Sequence, residues 1–187
     1  MPFPPSAAPD PARRRFLAGS LAGLALLATG PAAARMRRPR ELALHHTHTG
    51  EQLRVAYHDG SGYLDDALRE IRHFLRDFRT GEEHPIDPGV LDILYELQCK
   101  TVGGCKPYHV ISGYRSPKTN AMLRRRSKGV AKHSLHMQGK AIDIRLPGVD
   151  IRHLYEAARS LKKGGVGLYS RSQFVHVDTG RVRTWGS

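Results

Sequence analysis

The chain has 187 residues, with 30 lysines and arginines against 17 aspartates and glutamates and a net charge of +13 at pH 7. That length suits one domain with one core, and 25% charged residues set among apolar segments exclude a wholly disordered chain. The basic balance calls for an anionic neighbour, either nucleic acid or an envelope polymer or membrane surface.

The N-terminus decides between these. Arg13-Arg14-Arg15-Phe16-Leu17 opens a Leu-, Ala- and Gly-rich run that ends near Ala28. The run has the length of a signal-peptide apolar region and falls short of the roughly 20 residues a membrane span needs. Ala32-Ala33-Ala34 follows as a small-residue cleavage site. Residues 1–34 therefore read as a twin-arginine-type signal peptide. Residues 35–187 read as the working domain, with 35–40 a mobile basic leader. Export would put the domain in the periplasm or cell envelope, with no stable membrane span after cleavage. Nucleic acid is not expected as a partner, because no binding signature is present and the aromatics are not interleaved with the basic residues.

Glu41–His46 and Gln52–His58 read as two strands of a hairpin that turns at Thr47-His48-Thr49-Gly50. His45 and His46 point to opposite faces of a strand and cannot easily share an ion, so His45, His46 and His48 read as hairpin surface. Leu64–Phe78 has apolar residues at helical spacing, with Asp65 and Asp66 at its start and Arg76 and Arg79 at its end, as the helix dipole favours. Pro88 suits a first helical turn and opens a second helix to about Lys100. Cys99 and Cys105 bracket Lys-Thr-Val-Gly-Gly. In an exported chain this pair is expected to form a disulfide; a zinc pair is the rival, with no histidine nearby. Tyr108–Ser112 is a strand, and Pro117–Arg126 a helix.

Ser134–Asp143 reads Ser-Leu-His-Met-Gln-Gly-Lys-Ala-Ile-Asp. Lys140–Arg145 alternates as a strand does, so Asp143 faces away from Ile142 and Ile144. His136 precedes the strand in a loop and can fold back over Gly139. Ile151–Lys162 is an amphipathic helix ended by Gly164-Gly165. Val166–Tyr169 and Phe174–Asp178 form a hairpin, with His176 and Asp178 on one face, roughly 6.6–6.8 Å apart. His136, Asp143 and His176 can then meet as the two imidazoles and one carboxylate of a catalytic zinc site, with one position left for water. Each has a plain alternative: a loop histidine, a strand carboxylate paired with a base, a satisfied core histidine. Helices with mostly antiparallel strands on one sheet make a single α+β domain.

These segments carry a resemblance. Ser-x-His-x-x-Gly-x-Ala-x-Asp, with Ile111-Ser112-Gly113-Tyr114-Arg115-Ser116 upstream and Phe174 through Gly180 downstream, is similar to the D-alanyl-D-alanine carboxypeptidase and murein endopeptidase group of zinc peptidases. The hedgehog domain shares that type of zinc site. His48-Thr49-Gly50-Glu51, Gly129–Lys132, Gly164–Gly167 and Trp185 extend the likeness over most of the chain. It implies that fold, one Zn²⁺ and the peptide stems of peptidoglycan as substrate. The expected reaction is hydrolysis of peptide cross-links; trimming of a terminal D-alanine, or wall binding without cleavage, are the alternatives. The resemblance also favours a substrate-facing Arg115, whose fork suits a carboxylate or a developing oxyanion. Asp178 is expected to lie over the open side of the zinc and act as general base. Ser134 would hydrogen-bond a ligand or hold its loop. His133 reads as a cleft-wall residue, with a ligand-orienting donor or an additional metal ligand as the alternatives.

Overall fold

The computed structural model describes residues 39–127 and 129–186. The expected signal peptide, its expected boundary at residue 34 and most of the expected basic leader lie outside the described residues. Strands β1 (Arg40–His46) and β2 (Gln52–His58) are followed by helices α1 (Asp65–Phe74) and α2 (Pro88–Thr101), then β3 (Tyr108–Ser112) and α3 (Pro117–Arg126). A 3₁₀ turn, Leu135–Gln138, leads into β4 (Ala141–Arg145) and α4 (Ile151–Leu161); β5 (Gly165–Tyr169), β6 (Phe174–Asp178) and β7 (Arg183–Gly186) complete the described chain. The strands form one sheet in the order β2-β1-β3-β4-β6-β5-β7. The β1–β3 and β5–β7 pairs are parallel and the others antiparallel.

Alternation along the strands separates core from site. Ile142 and Ile144 of β4 and Val175 and Val177 of β6 are buried in the hydrophobic core with Leu91, Leu94 and Leu97 of α2 and Leu154 and Ala158 of α4. Asp143 and His176 therefore face the other side, directly paired across the β4–β6 ladder. The helix starts follow their capping chemistry. Asp87, Ser116 and Asp150 each accept a backbone N–H from the first turn of α2, α3 and α4, and proline stands at the start of α2 and α3.

Four expectations are corrected. The first helix ends at Phe74, short of Phe78, because the Leu75 carbonyl accepts the Tyr114 N–H at 2.8 Å and the chain turns away. Buried Asp77 then accepts the N–H groups of Ser116 at 2.9 Å and Arg79 at 3.0 Å. The segment thus braces the Gly113–Ser116 loop. Second, His46 is buried, not surface: its ring lies edge-on to Phe74 and Phe78, and Nδ1 accepts the N–H of His48 at 3.2 Å. Burial pushes its pKa down to about 4. Third, Cys99 is exposed and Cys105 half-buried, and both are free thiols; the Cys105 Sγ lies 3.9 Å from the Glu41 carbonyl oxygen. Fourth, β7 was not expected. It is four residues long, Arg-Thr-Trp-Gly, with no apolar alternation to announce a strand.

Gly139 is the tightest backbone requirement near β4. Its φ is +64°, and a Cβ there would lie 2.0 Å from the Pro85 carbonyl oxygen. Gly139→Ala should cost about 3 kcal/mol, from overpacking and the left-handed backbone together. Gly104→Ala meets only open space and should stay within about 0.5 kcal/mol of the parent. Urea denaturation of the two variants checks the contrast; equal midpoints would contradict it.

Candidate metal centre

The 3₁₀ turn and the paired strands bring His136, Asp143 and His176 together. The His136 Nε2 lies 3.3 Å from Asp143 Oδ1 and 3.2 Å from His176 Nδ1, and His176 Nδ1 lies 2.9 Å from the same Oδ1. All three residues are buried, and they are the one group among the described residues whose side-chain donors could hold a metal ion together. Two ligands on a tetrahedral zinc are roughly 3.3 Å apart, given bonds of about 2.0–2.1 Å. The observed spacing fits that donor set.

Each imidazole presents one nitrogen to the centre because the other is engaged. The His136 Nδ1 donates to the Gly113 carbonyl at 2.7 Å, and the His176 Nε2 donates to Asp178 Oδ2 at 3.0 Å. These outward bonds fix the tautomers that leave His136 Nε2 and His176 Nδ1 as lone-pair donors.

Asp178 is where the structure departs most from the sequence reading. The residue borders the cleft, but its fully buried carboxylate sits at the Nε2 edge of His176, across the ring from the nitrogen that faces Asp143, and not over the open side of the centre. Besides the His176 ring it accepts the N–H groups of Gly165 at 3.0 Å and Gly180 at 2.8 Å. Arg183 grips it with both terminal nitrogens, at 3.0 and 2.7 Å. Strand alternation put Asp178 on the correct face. It did not show that His176 turns Nδ1 inward, which aims Nε2 along the strand at Asp178. Gly165 must lack a side chain here, since a Cβ would lie 2.2 Å from the Arg183 guanidinium and 2.5 Å from the Asp178 carboxylate.

The centre opens into a cleft of about 400 Å³. Arg115, His133, Ser134 and Trp185 are among its walls. Arg115 is largely buried, and its Nη2 lies 3.7 Å from Asp143 Oδ2. Its other contacts are long: 3.5 Å to Asn120 Oδ1 and 3.4 Å to Ser112 Oγ. The buried Nε has no hydrogen-bond partner. The fork is thus only loosely satisfied and borders the triad. Ser134 is buried at the start of the 3₁₀ turn, whereas His133 is exposed on the rim. Sequence reasoning missed Arg183, Tyr169 and the Gly113 carbonyl. Gly113, Phe174 and Trp185 fall in segments that carry the resemblance, which assigned them no role.

Burial disfavours charge throughout this site, but mutual attraction overrides it for three of the four groups. Burial pushes the His136 pKa down, and it stays low despite Asp143. Burial alone would raise Asp143, yet the two histidines hold it well below the usual carboxylate range. Asp178 is likewise depressed, by His176, Arg183 and the Gly180 N–H. Burial lowers His176, but Asp143 and Asp178 on either side outweigh it and raise its pKa to about 9.

Comparison with known proteins places the chain. Residues 34–185 match the model of a family described as peptidoglycan L,D-endopeptidase MepK. Over 180 residues the chain is 47% identical to peptidoglycan L,D-endopeptidase MepK of Escherichia coli (strain K12), covering 94% of this chain and 98% of that one. The protein of that name from Shigella flexneri matches to the same extent. A probable peptidoglycan L,D-endopeptidase MepK of Haemophilus influenzae is 43% identical over 148 residues, covering 79% of this chain and 80% of that one. No solved structure gives a significant match.

The raised His176 pKa sets a pH dependence for the metal-free protein. A group raised from about 6.5 to about 9 stabilises the fold fully below pH 6.5 and loses that contribution as pH rises through 9. The depressed Asp143 and Asp178 contribute above about pH 4 and lose it in acid. The melting temperature of chelator-treated protein should therefore fall between pH 6.5 and 9, and added Zn²⁺ should remove the fall. A flat profile over that window without metal would overturn this account.

Proposed function

The chain belongs to the peptidoglycan L,D-endopeptidase MepK family, and we propose that it hydrolyses peptide cross-links in peptidoglycan as an exported zinc metallopeptidase. The observation that carries this reading is the His136–Asp143–His176 donor set at the floor of a cleft. His136 Nε2, Asp143 Oδ1 and His176 Nδ1 would hold Zn²⁺. The metal would supply Lewis acidity, lowering the pKa of water toward about 7 and polarising the scissile carbonyl. The N-terminal signal and the wall substrate both argue for a periplasmic site of action.

The chain's own residues do the rest. Gly113 and Asp178 hold the two imidazoles in the required tautomers. Arg115, loosely bonded and beside Asp143, aims its fork at the carbonyl oxygen as charge develops there. The Ser134 carbonyl accepts the Met137 N–H at 3.0 Å and so closes the turn that carries His136. Asp178 acts through His176, as a positioning residue. Proton transfer then falls to His133, an imidazole on the rim of the same cleft with no hydrogen bond or ion pair among the described residues.

Digestion of purified sacculi by the processed protein, with and without chelator, tests the reading. Zn²⁺-dependent release of cleaved muropeptides is expected; chelator-resistant release, or none, would reject it. Two variants separate the roles. His133→Gln should keep its zinc and lose on the order of 10²–10⁴ in kcat. Asp178→Asn should bind zinc about 10–100-fold more weakly and recover most of its kcat at saturating metal. The reverse pattern would restore Asp178 as the base.

A further inference from the structure

Trp185 is the chain's sole tryptophan. It stands on the edge strand β7, half-buried, in the wall of the cleft. Its indole N–H donates to the Tyr169 hydroxyl at 3.1 Å, and its ring centroid lies 5.1 Å from that of His176. The Arg183 guanidinium stands 4.8 Å from the indole centroid. The backbone beneath leaves room for the ring only because residue 167 is glycine: a Cβ there would meet the indole at 2.5 Å. Beside it Tyr169 and Phe174 stack at 4.4 Å and 14°, both half-buried and both lining the same cleft.

We propose that Trp185, Tyr169 and Phe174 form a specificity wall that takes the aliphatic part of a stem peptide on the His176 side of the scissile bond. The proposal rests on the hydrolase reading above. The polar ends of Trp185 and Tyr169 are bonded to each other, which leaves their apolar faces for contact. The rings are held in place before substrate arrives, so little freedom is lost on binding. The two flanks of the triad differ in chemistry. Arg115 adjoins Asp143 and the aromatic wall adjoins His176, which matches a peptide with a polar carbonyl on one side and an aliphatic chain on the other. An ammonium group is disfavoured over this indole, because Arg183 already occupies that position. A sugar ring is disfavoured by distance. The wall begins 5.1 Å from a proposed metal ligand, within one or two extended residues of the bond to be cut at roughly 3.3–3.6 Å per residue. The glycan lies beyond the stem.

Because the tryptophan is unique, its fluorescence reads the wall directly. Metal-free protein should change its emission on titration with a purified cross-linked muropeptide dimer, and should not respond to the peptide-free disaccharide. With zinc bound, Trp185→Ala should raise KM for the dimer on the order of 10-fold, with kcat and zinc content little altered. Trp185→Phe, which keeps an apolar ring should the alanine variant fold poorly, should recover part of the affinity. Unaltered KM in both variants, or an emission change caused by the disaccharide and not by the dimer, overturns the wall. If wild-type protein cleaves the dimer while those results hold, the hydrolase reading survives alone. If the dimer changes the emission but is never cleaved, the wall survives and the hydrolase reading falls.

Discussion

A carboxylate and two imidazoles crowd into one buried spot, and the rest of the site follows from what that requires. Each histidine can offer only one nitrogen inward, and the other must be satisfied where water cannot reach. His136 meets this with a backbone carbonyl, at Gly113. His176 meets it with a carboxylate, Asp178, and that choice has further consequences. A second buried negative charge needs its own compensation, since taking an ion out of water costs several kcal/mol unless it is paired and hydrogen-bonded. Arg183 and two backbone N–H groups provide it. The C-terminal strand is thereby tied to a candidate ligand from the next strand but one.

The sheet makes this arrangement possible because β4 and β6 are neighbours in the middle of it. Asp143 and His176 are cross-strand partners, so their separation is set by the ladder rather than by a loop. Only His136 comes from outside the sheet, and its turn is braced on several sides. The Arg115 N–H donates to the His136 carbonyl at 3.2 Å, and the Gly139 carbonyl accepts from Asp87 at 2.9 Å. The truncated end of α1 and buried Asp77 hold the Gly113–Ser116 loop in turn. The glycine at 113 is needed for this contact, because a Cβ would lie 2.7 Å from the Leu75 carbonyl oxygen. Rigid elements thus surround the triad, as a preorganised centre requires.

Much of this was legible in the sequence, for a physical reason. Strand alternation and helical spacing are local signals, so β1 to β6 and three of the four helices fall within a residue or two of their expected bounds. The face that Asp143 and His176 share was also readable, because period-two alternation fixes it; that β6 lies beside β4, across an intervening helix and strand, had to be assumed and is supplied by the sheet. What the sequence did not reveal depends on tertiary geometry. The early end of α1 is dictated by a carbonyl contact to residue 114, outside any local window. His46 reads as a polar hairpin residue, yet Phe74 and Phe78 fold over it. Which nitrogen His176 presents is set by a side chain two residues away and by an arginine on a strand with no sequence signature.

The case of Asp178 shows why residue type and face do not determine role. An ionised carboxylate has about four lone-pair positions. Here five donor contacts already converge on its two oxygens, from His176, Gly165, Gly180 and both terminal nitrogens of Arg183. A general base works best when its pKa lies near the working pH and its oxygen can reach the proton. Asp178 fails both conditions, because its donors hold its pKa far below neutrality and the His176 ring stands between it and the triad. The same contacts suit it to a different task. A carboxylate that stays ionised and cannot move strengthens the lone pair on the far side of the imidazole and fixes the ring's direction. Acting as the base would require Asp178 to give up the bonds by which it orients His176, so the expected role as base and the proposed positioning role compete at this position.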